Sequence, residues 1–407
     1  MVSCDGLRLL YVTNAFPWPR AESFLIPEIE SLARAGHDLY ILPTRLFEPP
    51  LELPIKLQGL ATLIAWPLTD PRGALSFLTV CVTRPRSLVR ILFALFGSGP
   101  RKGMKNLAVL PKSIRVARLA RQLDIDHVHA HWGGTSSTLA FVVHELTGTP
   151  WSMTLHSWDV PEDNLLALKA HSARFSRFIS EKRRKEGIAL GAPPHKSPLL
   201  RVGVQLPRIA PAAPWDGKGT FRILCAAAFV EFKGHRHLID ALVEMRAAGR
   251  DVHLTLAGEG HLRNAIASQA EKLGGAVEFL GHVPHATLIE WLREGRFHIS
   301  VLTSIVDSTG LEEGVPVSLI EAMSCGVPAV ATRTGSIAEL IPEASGLLVP
   351  PGDPAALTSA ITALIDSPAR HERAAREAIA IVEREYDIEQ IAGSLTARMT
   401  DTPLEHH

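Results

Sequence analysis

Residues 221–283 read FRILCAAAFVEFKGHRHLIDALVEMRAAGRDVHLTLAGEGHLRNAIASQAEKLGGAVEFLGHV, and their rhythm decides the fold class. Apolar runs at 221–229, 252–257 and 277–280 have the length and composition of buried strands. Between them, 235–247 and 261–272 carry apolar residues at helical spacing. Strands alternating with helices predict a parallel sheet covered by helices on both faces. Downstream the rhythm continues as helix 287–294, strand 297–302, helix 318–323 and strand 329–332, then a charged helical stretch over 354–397. Upstream, 191–214 is rich in Pro and Gly and breaks the pattern. Before that break the same alternation reads as strand 7–13, helix 26–35, strand 38–42, helix 113–122, strand 127–131, helix 135–146 and strand 151–156. The expected fold is α/β, with two doubly wound Rossmann-like domains facing a cleft. Expected boundaries are 1–205, 206–380, a C-terminal helix at 381–403 that could cross back to the first domain, and a tag remnant at 404–407. In open parallel sheets ligands gather at the carboxyl ends of strands, so the loops there are where chemistry is sought.

Composition supports a chain with large cores. Its 407 residues are 46% hydrophobic and 21% charged, with a formal net charge of zero. A balanced charge points to no nucleic-acid partner. The four cysteines, Cys4, Cys81, Cys225 and Cys325, lack metal or redox spacing, which suits a reducing cytoplasm. No basic region followed by an apolar core is read at the N-terminus, so no signal peptide is expected.

One local charge pattern stands out. Residues 71–123 hold no Asp or Glu, yet carry Arg72, Arg84, Arg86, Arg90, Arg101, Lys102, Lys105, Lys112, Arg115, Arg118 and Arg121. The apolar runs between them, 75–82 and 88–96, are shorter than the ~20 residues of a membrane span. The segment 72–121 is therefore expected to lie on an anionic membrane surface, peripherally on its inner face, or else to be a solvated helical face.

The strongest constellation is Glu313-Gly314-Val315-Pro316-Val317-Ser318-Leu319-Ile320-Glu321. It places one carboxylate in a loop and a second inside the helix that follows, with Pro316 and Ser318 suited to the helix start. Free N–H groups and the dipole at such a start can hold a diphosphate. Earlier, Phe229-Val230-Glu231-Phe232-Lys233-Gly234-His235 leaves a strand and opens a helix. A lysine there can offset the charge of a departing diphosphate.

This Glu-x7-Glu segment resembles the signature of family-4 retaining glycosyltransferases, in the exopolysaccharide and colanic-acid branch, which adopt the GT-B fold. The resemblance covers most of the chain and is strongest over 227–349. It implies that the first domain binds the acceptor and the second the nucleotide-sugar. It further implies that Glu321 binds the nucleotide ribose, that Glu313 contacts the transferred sugar, and that backbone near Val317, Ser318 and Leu319 meets phosphate. Lys233 matches the family's lysine, but Ala228 stands where the family usually has an arginine, leaving one phosphate cation unassigned. Gly258-Glu259-Gly260 resembles the glycine loop beside the nucleotide, and Gly281-His282-Val283 the segment whose backbone meets the base. Thr334-Gly335-Ser336 with Glu339 resembles a loop near the donor.

In the first half, Leu155-His156-Ser157-Trp158-Asp159 resembles the family's strand end that brings a histidine to the sugar, so His156 is expected to be catalytic. His129-Ala130-His131-Trp132-Gly133 is a second such strand end. Strand alternation puts His129 and His131 on one face, which could suggest zinc, but no further ligand follows at metal spacing. Asp124-Ile125-Asp126 precedes its strand, the wrong end for an Asp-x-Asp metal site, so no metal and no cofactor beyond the sugar donor is expected. Residues 14–24, Asn14 to Phe24, resemble the opening of the exopolysaccharide branch, with Glu22 expected, like His131, Trp132 and Asp159, on the acceptor side. The reading is a hexosyltransferase moving sugar from UDP- or GDP-sugar to a carbohydrate or lipid-linked acceptor. An epimerase, a phosphorylase and a two-lobed sugar-binding protein are the alternatives.

Overall fold

The computed structural model describes residues 6–17, 22–46, 52–68, 71–97, 99–207 and 211–400. Cys4, positions 18–21 of the opening loop and the tag remnant at 404–407 lie outside the described residues. The chain divides into two compact units, one of residues 1–203 with 388–407, the other of residues 204–387.

The first unit runs β1 (Arg8–Thr13), α1 (Ile26–Arg34), β2 (Asp38–Pro43), β3 (Ala61–Leu63), α2 (Pro71–Thr83), α3 (Pro85–Phe96), α4 (Pro100–Gln122), β4 (His127–His131), α5 (Thr135–Thr147), β5 (Trp151–Leu155), α6 (Asp159–Glu162), α7 (Leu166–Ser172), β6 (Ser176–Phe178) and α8 (Glu181–Ala189). Its strands form a parallel sheet in the order β3-β2-β1-β4-β5-β6. The second unit runs β7 (Phe221–Ala226), α9 (His235–Ala247), β8 (Val252–Ala257), α10 (Arg263–Ala270), β9 (Val277–Gly281), α11 (His285–Arg293), β10 (Ile299–Leu302), α12 (Val317–Ser324), β11 (Ala329–Thr332), β12 (Leu348–Val349), α13 (Pro354–Ile365) and α14 (Pro368–Glu385). Its sheet has the order β12-β11-β10-β7-β8-β9. Numbered from each unit's own first strand, both sheets read 3-2-1-4-5-6, the doubly wound order with its switch point beside strand 1.

The two sheets differ in how they are covered. In the second unit, Phe221, Ile223, Leu254, Leu256, Ile299 and Val301 are fully or almost fully buried in one apolar core. Burial of each such side chain stabilises by about 1.5–3 kcal/mol before entropy is counted. In the first unit, β4 has the sequence HVHAH with every residue buried. Val128 and Ala130 join the apolar cluster on one face, and alternation turns His127, His129 and His131 to the other. That second face is a buried polar layer.

The chain closes on itself in the first unit. A final helix, α15 (Ile388–Thr400), packs beside α1: Ser31 Oγ donates to Glu389 Oε2 at 2.9 Å, and Leu395 and Met399 join the cluster of Leu9, Ile29 and Leu32. Position 380 lies inside α14, and the return begins only at Ile388, after Val204 N has bonded Tyr386 O at 2.8 Å.

The acid-free stretch is three helices rather than the single one expected at 113–122. Periodicity fails over 100–112 because Lys112 points inward, 2% exposed, and Pro111 interrupts the pattern. Its Nζ donates to the carbonyls of Pro43, Thr44 and Trp66 at 2.6–3.1 Å, and burial pushes its pKa down to about 8. Lys112 is thus an internal clamp on the end of β2, not part of a surface. Arg84 and Arg121 likewise cap the Leu146 carbonyl, and Arg115 lies over the Trp66 ring. Among the described residues no helix is long and apolar enough to cross a membrane.

Candidate functional site

In the second unit, β7 ends in a turn that carries Lys233 and closes at Gly234, whose φ of +62° is in the left-handed region. A Cβ on Gly234 would stand 2.0 Å from the Thr303 carbonyl, so the turn is pressed against the end of β10. That contact aims Lys233 across to the loop before α12. Lys233 Nζ lies 2.5 Å from Glu313 Oε2, and Ser304 Oγ donates to the same oxygen at 2.9 Å. Both partners are mostly buried, 16% and 9% exposed at the side chain. Glu313 is held from behind by Gly335, φ +53°, where a Cβ would come within 1.6 Å of the Glu313 carbonyl. The same Lys233 turn borders a cavity of about 240 Å³ lined by Val230, Gly234, His235, Ile266 and Ile305.

Helix α12 starts one residue before the expected 318. Its N-cap is Pro316, which has no side chain to accept from the first-turn amides, and Ser318 makes no cap bond. Leu319 N and Ile320 N turn back to Pro316 O, at 3.1 and 3.3 Å. The first turn therefore presents amide groups uncapped by any side chain. One turn further on, Glu321 projects from α12 and its Oε1 lies 2.6 Å from His285 Nε2 at the start of α11. The base-side loops also come together: Gly258 N donates to Gly281 O at 2.8 Å, and a Cβ on Gly258 would meet the Ala227 carbonyl at 2.0 Å. His282 is exposed and Val283 half-buried. Ala228 is exposed and brings no charge, so Lys233 is the cation of this loop.

The polar layer of the first unit gathers the expected His131 and His156. Register aligns Tyr11 with His129, and His131 with Thr154, which in turn aligns with Arg177. His156 Nε2 lies 2.7 Å from His131 Nε2, and His131 Nδ1 lies 2.7 Å from Tyr11 Oη. Tyr11 donates to Glu28 Oε1 at 2.6 Å, and Arg177 Nη1 donates to Glu28 Oε2 at 2.6 Å. Burial alone would raise the Glu28 pKa, but the Arg177 charge and the hydrogen bonds outweigh it and hold the carboxyl below its usual range. Burial pushes His156 and His129 down to about 3, and His131 well below its ordinary value with His156 adding to the effect. All three rings are neutral at working pH.

Glu28, His129 and His131 come within 4.8 Å of one another, a trio that spacing in the sequence did not suggest. Each already has protein partners: Glu28 has Tyr11 and Arg177, His131 has Tyr11 and His156, and His129 has the hydroxyls of Ser152 and Thr154 at 2.8 and 3.0 Å. A buried guanidinium beside the trio adds positive charge, the opposite of what a cation needs.

The carboxylates expected on the acceptor side are turned inward. Glu22 is 2% exposed and accepts from the amides of Ala15, at 2.7 Å, and Phe16, and from Trp132 Nε1. Asp159 accepts from His156 N at 2.7 Å, and burial pushes its pKa up to about 7 against these amide bonds. Both carboxylates hold loops. Trp132 has a φ of +105°, unusual for a bulky residue, and its ring sits 4.2 Å from that of His156. Tyr11, Glu28 and Arg177 were not expected from the sequence. Strand parity with His129 and His131 was the available signal for Tyr11; nothing local marks Glu28 or Arg177.

Residues 220–367, which hold Lys233, Glu313 and Glu321, match the family model described as glycosyl transferases group 1. The chain is 26% identical to a GDP-mannose-dependent monoacylated alpha-(1-6)-phosphatidylinositol monomannoside mannosyltransferase of Corynebacterium glutamicum, over 71% of this chain and 80% of that protein. It is 24% identical to the amylovoran biosynthesis glycosyltransferase AmsK of Erwinia amylovora, over 94% and 96%. Among solved structures it is similar to Anabaena HepE in complex with UDP and glucose, with a TM-score of 0.71 and 17% identity over 97% of this chain and 99% of that one. The two doubly wound sheets are those of the GT-B fold, and the chain is a glycosyltransferase carrying a glycosyl transferases group 1 domain.

Proposed function

We propose that the chain is a retaining hexosyltransferase that takes sugar from a UDP- or GDP-sugar and gives it to a carbohydrate or lipid-linked acceptor in polysaccharide or glycolipid synthesis. The observation that carries this reading is the Lys233–Glu313 pair at 2.5 Å, beside an uncapped α12 N-terminus that leads to Glu321. The Corynebacterium relative is named for GDP-mannose and the Anabaena structure holds UDP and glucose, so both bases are kept.

In this reading Glu321 accepts from the ribose hydroxyls, and the Gly281–Val283 backbone meets the base. The diphosphate draws Lys233 away from Glu313 and rests on the α12 amides. Glu313, released, accepts from a sugar hydroxyl. The acceptor oxygen bonds C1 on the face the diphosphate leaves. The C1–O electron pair goes to the diphosphate oxygen, which also takes the acceptor's proton. Lys233 and the amides then offset the charge that develops, so the reading needs no metal. Glu22 and Asp159 act by holding the loops of Trp132 and His156.

Membrane contact is the second part of the proposal. On α3, Leu88, Ile91 and Leu95 are buried, while Val89, Phe93 and Phe96 on its other side are 63–84% exposed. Val82 on α2 and Met104 on α4 are exposed as well, and Arg86, Arg101 and Arg118 are exposed in the same segment. An apolar face among arginines suits the interface of an anionic bilayer.

A donor screen tests the main reading. UDP or GDP should raise the melting temperature by mass action, and the sugar product should keep its anomeric configuration by NMR. No shift with any nucleoside diphosphate, or an inverted product, overturns it.

A further inference from the structure

We infer that Tyr11, Glu28 and Arg177 are positioning residues that set the tautomers of His131 and His156, leaving His156 Nδ1 as a bare acceptor for a substrate hydroxyl. The inference rests on the proposed role of His156 at the sugar, and it adds what makes that histidine an acceptor.

The direction of every hydrogen bond follows from one end of the chain. Arg177 is 0% exposed and cannot lose its proton, so Glu28 beside it is a carboxylate and only accepts. Tyr11 must then donate to Glu28 Oε1, across 2.6 Å. Its oxygen is left to accept, so His131 Nδ1, at 2.7 Å, carries the hydrogen. Burial keeps His131 neutral, and a neutral imidazole has one N–H. His131 Nε2 is therefore bare. It lies 2.7 Å from His156 Nε2, so that nitrogen must donate. His156 is neutral as well, and its Nδ1 is left with a lone pair. Among the described residues that Nδ1 has no hydrogen-bond partner, and the residue keeps 8% exposure beneath Trp132 and Phe24.

The assignment is distinctive because it forces His131 into the Nδ1–H form, the less usual one for a free imidazole side chain. Without the phenol oxygen, His131 reverts to Nε2–H. It then donates to His156, whose own hydrogen moves to Nδ1. A hydroxyl can no longer donate there.

The test is imidazole ¹⁵N NMR of the full chain labelled at histidine, with His131→Gln and His156→Gln to assign the signals. In the wild type, His131 should show a protonated Nδ1 and His156 a protonated Nε2. In Tyr11→Phe both should exchange, and kcat should fall by about tenfold while donor KM changes by less than about twofold. A wild-type His131 protonated at Nε2 overturns the proposal, and that spectrum decides alone if Tyr11→Phe does not fold. Exchanged tautomers with unchanged kcat overturn the acceptor role of Nδ1. A wild type that transfers no sugar from any nucleotide-sugar sinks the transferase reading instead, while the spectra still decide the chain.

Discussion

Lys233 and Glu313 are bonded to each other, Nζ to Oε2 at 2.5 Å. The cation proposed for phosphate is thus held by the acid proposed for sugar. In the proposed reaction, opening this pair is part of binding. Glu313→Gln should free Lys233 and tighten UDP or GDP binding by roughly two- to tenfold, while kcat falls at least about a hundredfold. Lys233→Ala should weaken the same binding by about tenfold or more, since a charge-assisted bond is lost. Calorimetry with single-turnover kinetics reads both. Parallel losses of affinity in the two variants would contradict the exchange.

Glu321 has a competitor in His285, 2.6 Å away and 57% exposed at the side chain. Removing the carboxylate and removing its partner should therefore act in opposite directions. Glu321→Ala should cost about ten- to a hundredfold in nucleoside diphosphate affinity. His285→Ala should leave affinity equal or improve it by up to about threefold, as a bond to a side chain 57% exposed contributes little. A large loss in His285→Ala would mean that the histidine itself binds the nucleotide.

Gly335 has no room for a methyl group, because the Glu313 carbonyl would lie 1.6 Å from it, and its φ is +53°. Gly335→Ala should displace the Glu313 loop and destabilise by about 1–3 kcal/mol. Its measured signature is a lowered melting temperature together with lost turnover. Wild-type turnover in this variant would show that the Glu313 backbone is not confined there.

Acid should unfold the protein through its buried histidines. His129 and His156 are pushed down to about 3 and His235 and His298 to about 4, all by burial first. The folded state binds fewer protons than the unfolded one below pH ~6.5, so this stability is complete above that pH and is lost as pH falls from there toward 3–4. Asp159, raised to about 7, works the other way: its contribution is complete below pH ~3.9 and is lost as pH rises through 7. The lowered histidines, with His127 and His131 among them, outnumber the raised carboxyls of Asp159 and Glu22 and predict a net fall in melting temperature between pH 6.5 and 4, read by calorimetry. A flat profile over that range would show the rings to be charged or solvated.

Lipid contact should depend on both charge and apolar area. Flotation with phosphatidylglycerol vesicles should recover the protein, phosphatidylcholine vesicles should not, and salt should weaken recovery. Phe93→Asp with Phe96→Asp should abolish recovery and leave transfer to a soluble acceptor intact. Recovery unaffected by the double change would move the contact elsewhere.

Much of the fold was legible because strand and helix periods are local. The 127–131, 235–247, 252–257 and 329–332 elements coincide with the structure, where apolar spacing and flanking glycines agree. The short edge strands β3, β6 and β12 were not read, since two or three residues carry no period. Helix α4 was read only in its second half, because Lys112 occupies an inward position that periodicity reserves for apolar side chains.

By itself the sequence determined the class of the molecule: two α/β halves, a loop lysine after β7, and two glutamates flanking the start of α12. These follow from spacing along the chain, which geometry converts directly into one turn, one face or one strand end. Only tertiary structure decided which polar groups meet. Lys233 reaches Glu313 across 80 positions, and Arg177 reaches Glu28 across 149. It also buried Glu22 and Asp159, expected on the acceptor side, where they accept from loop amides. A carboxylate's role depends on whether water, an amide or a guanidinium surrounds it, and that surrounding exists only once distant strands are laid side by side.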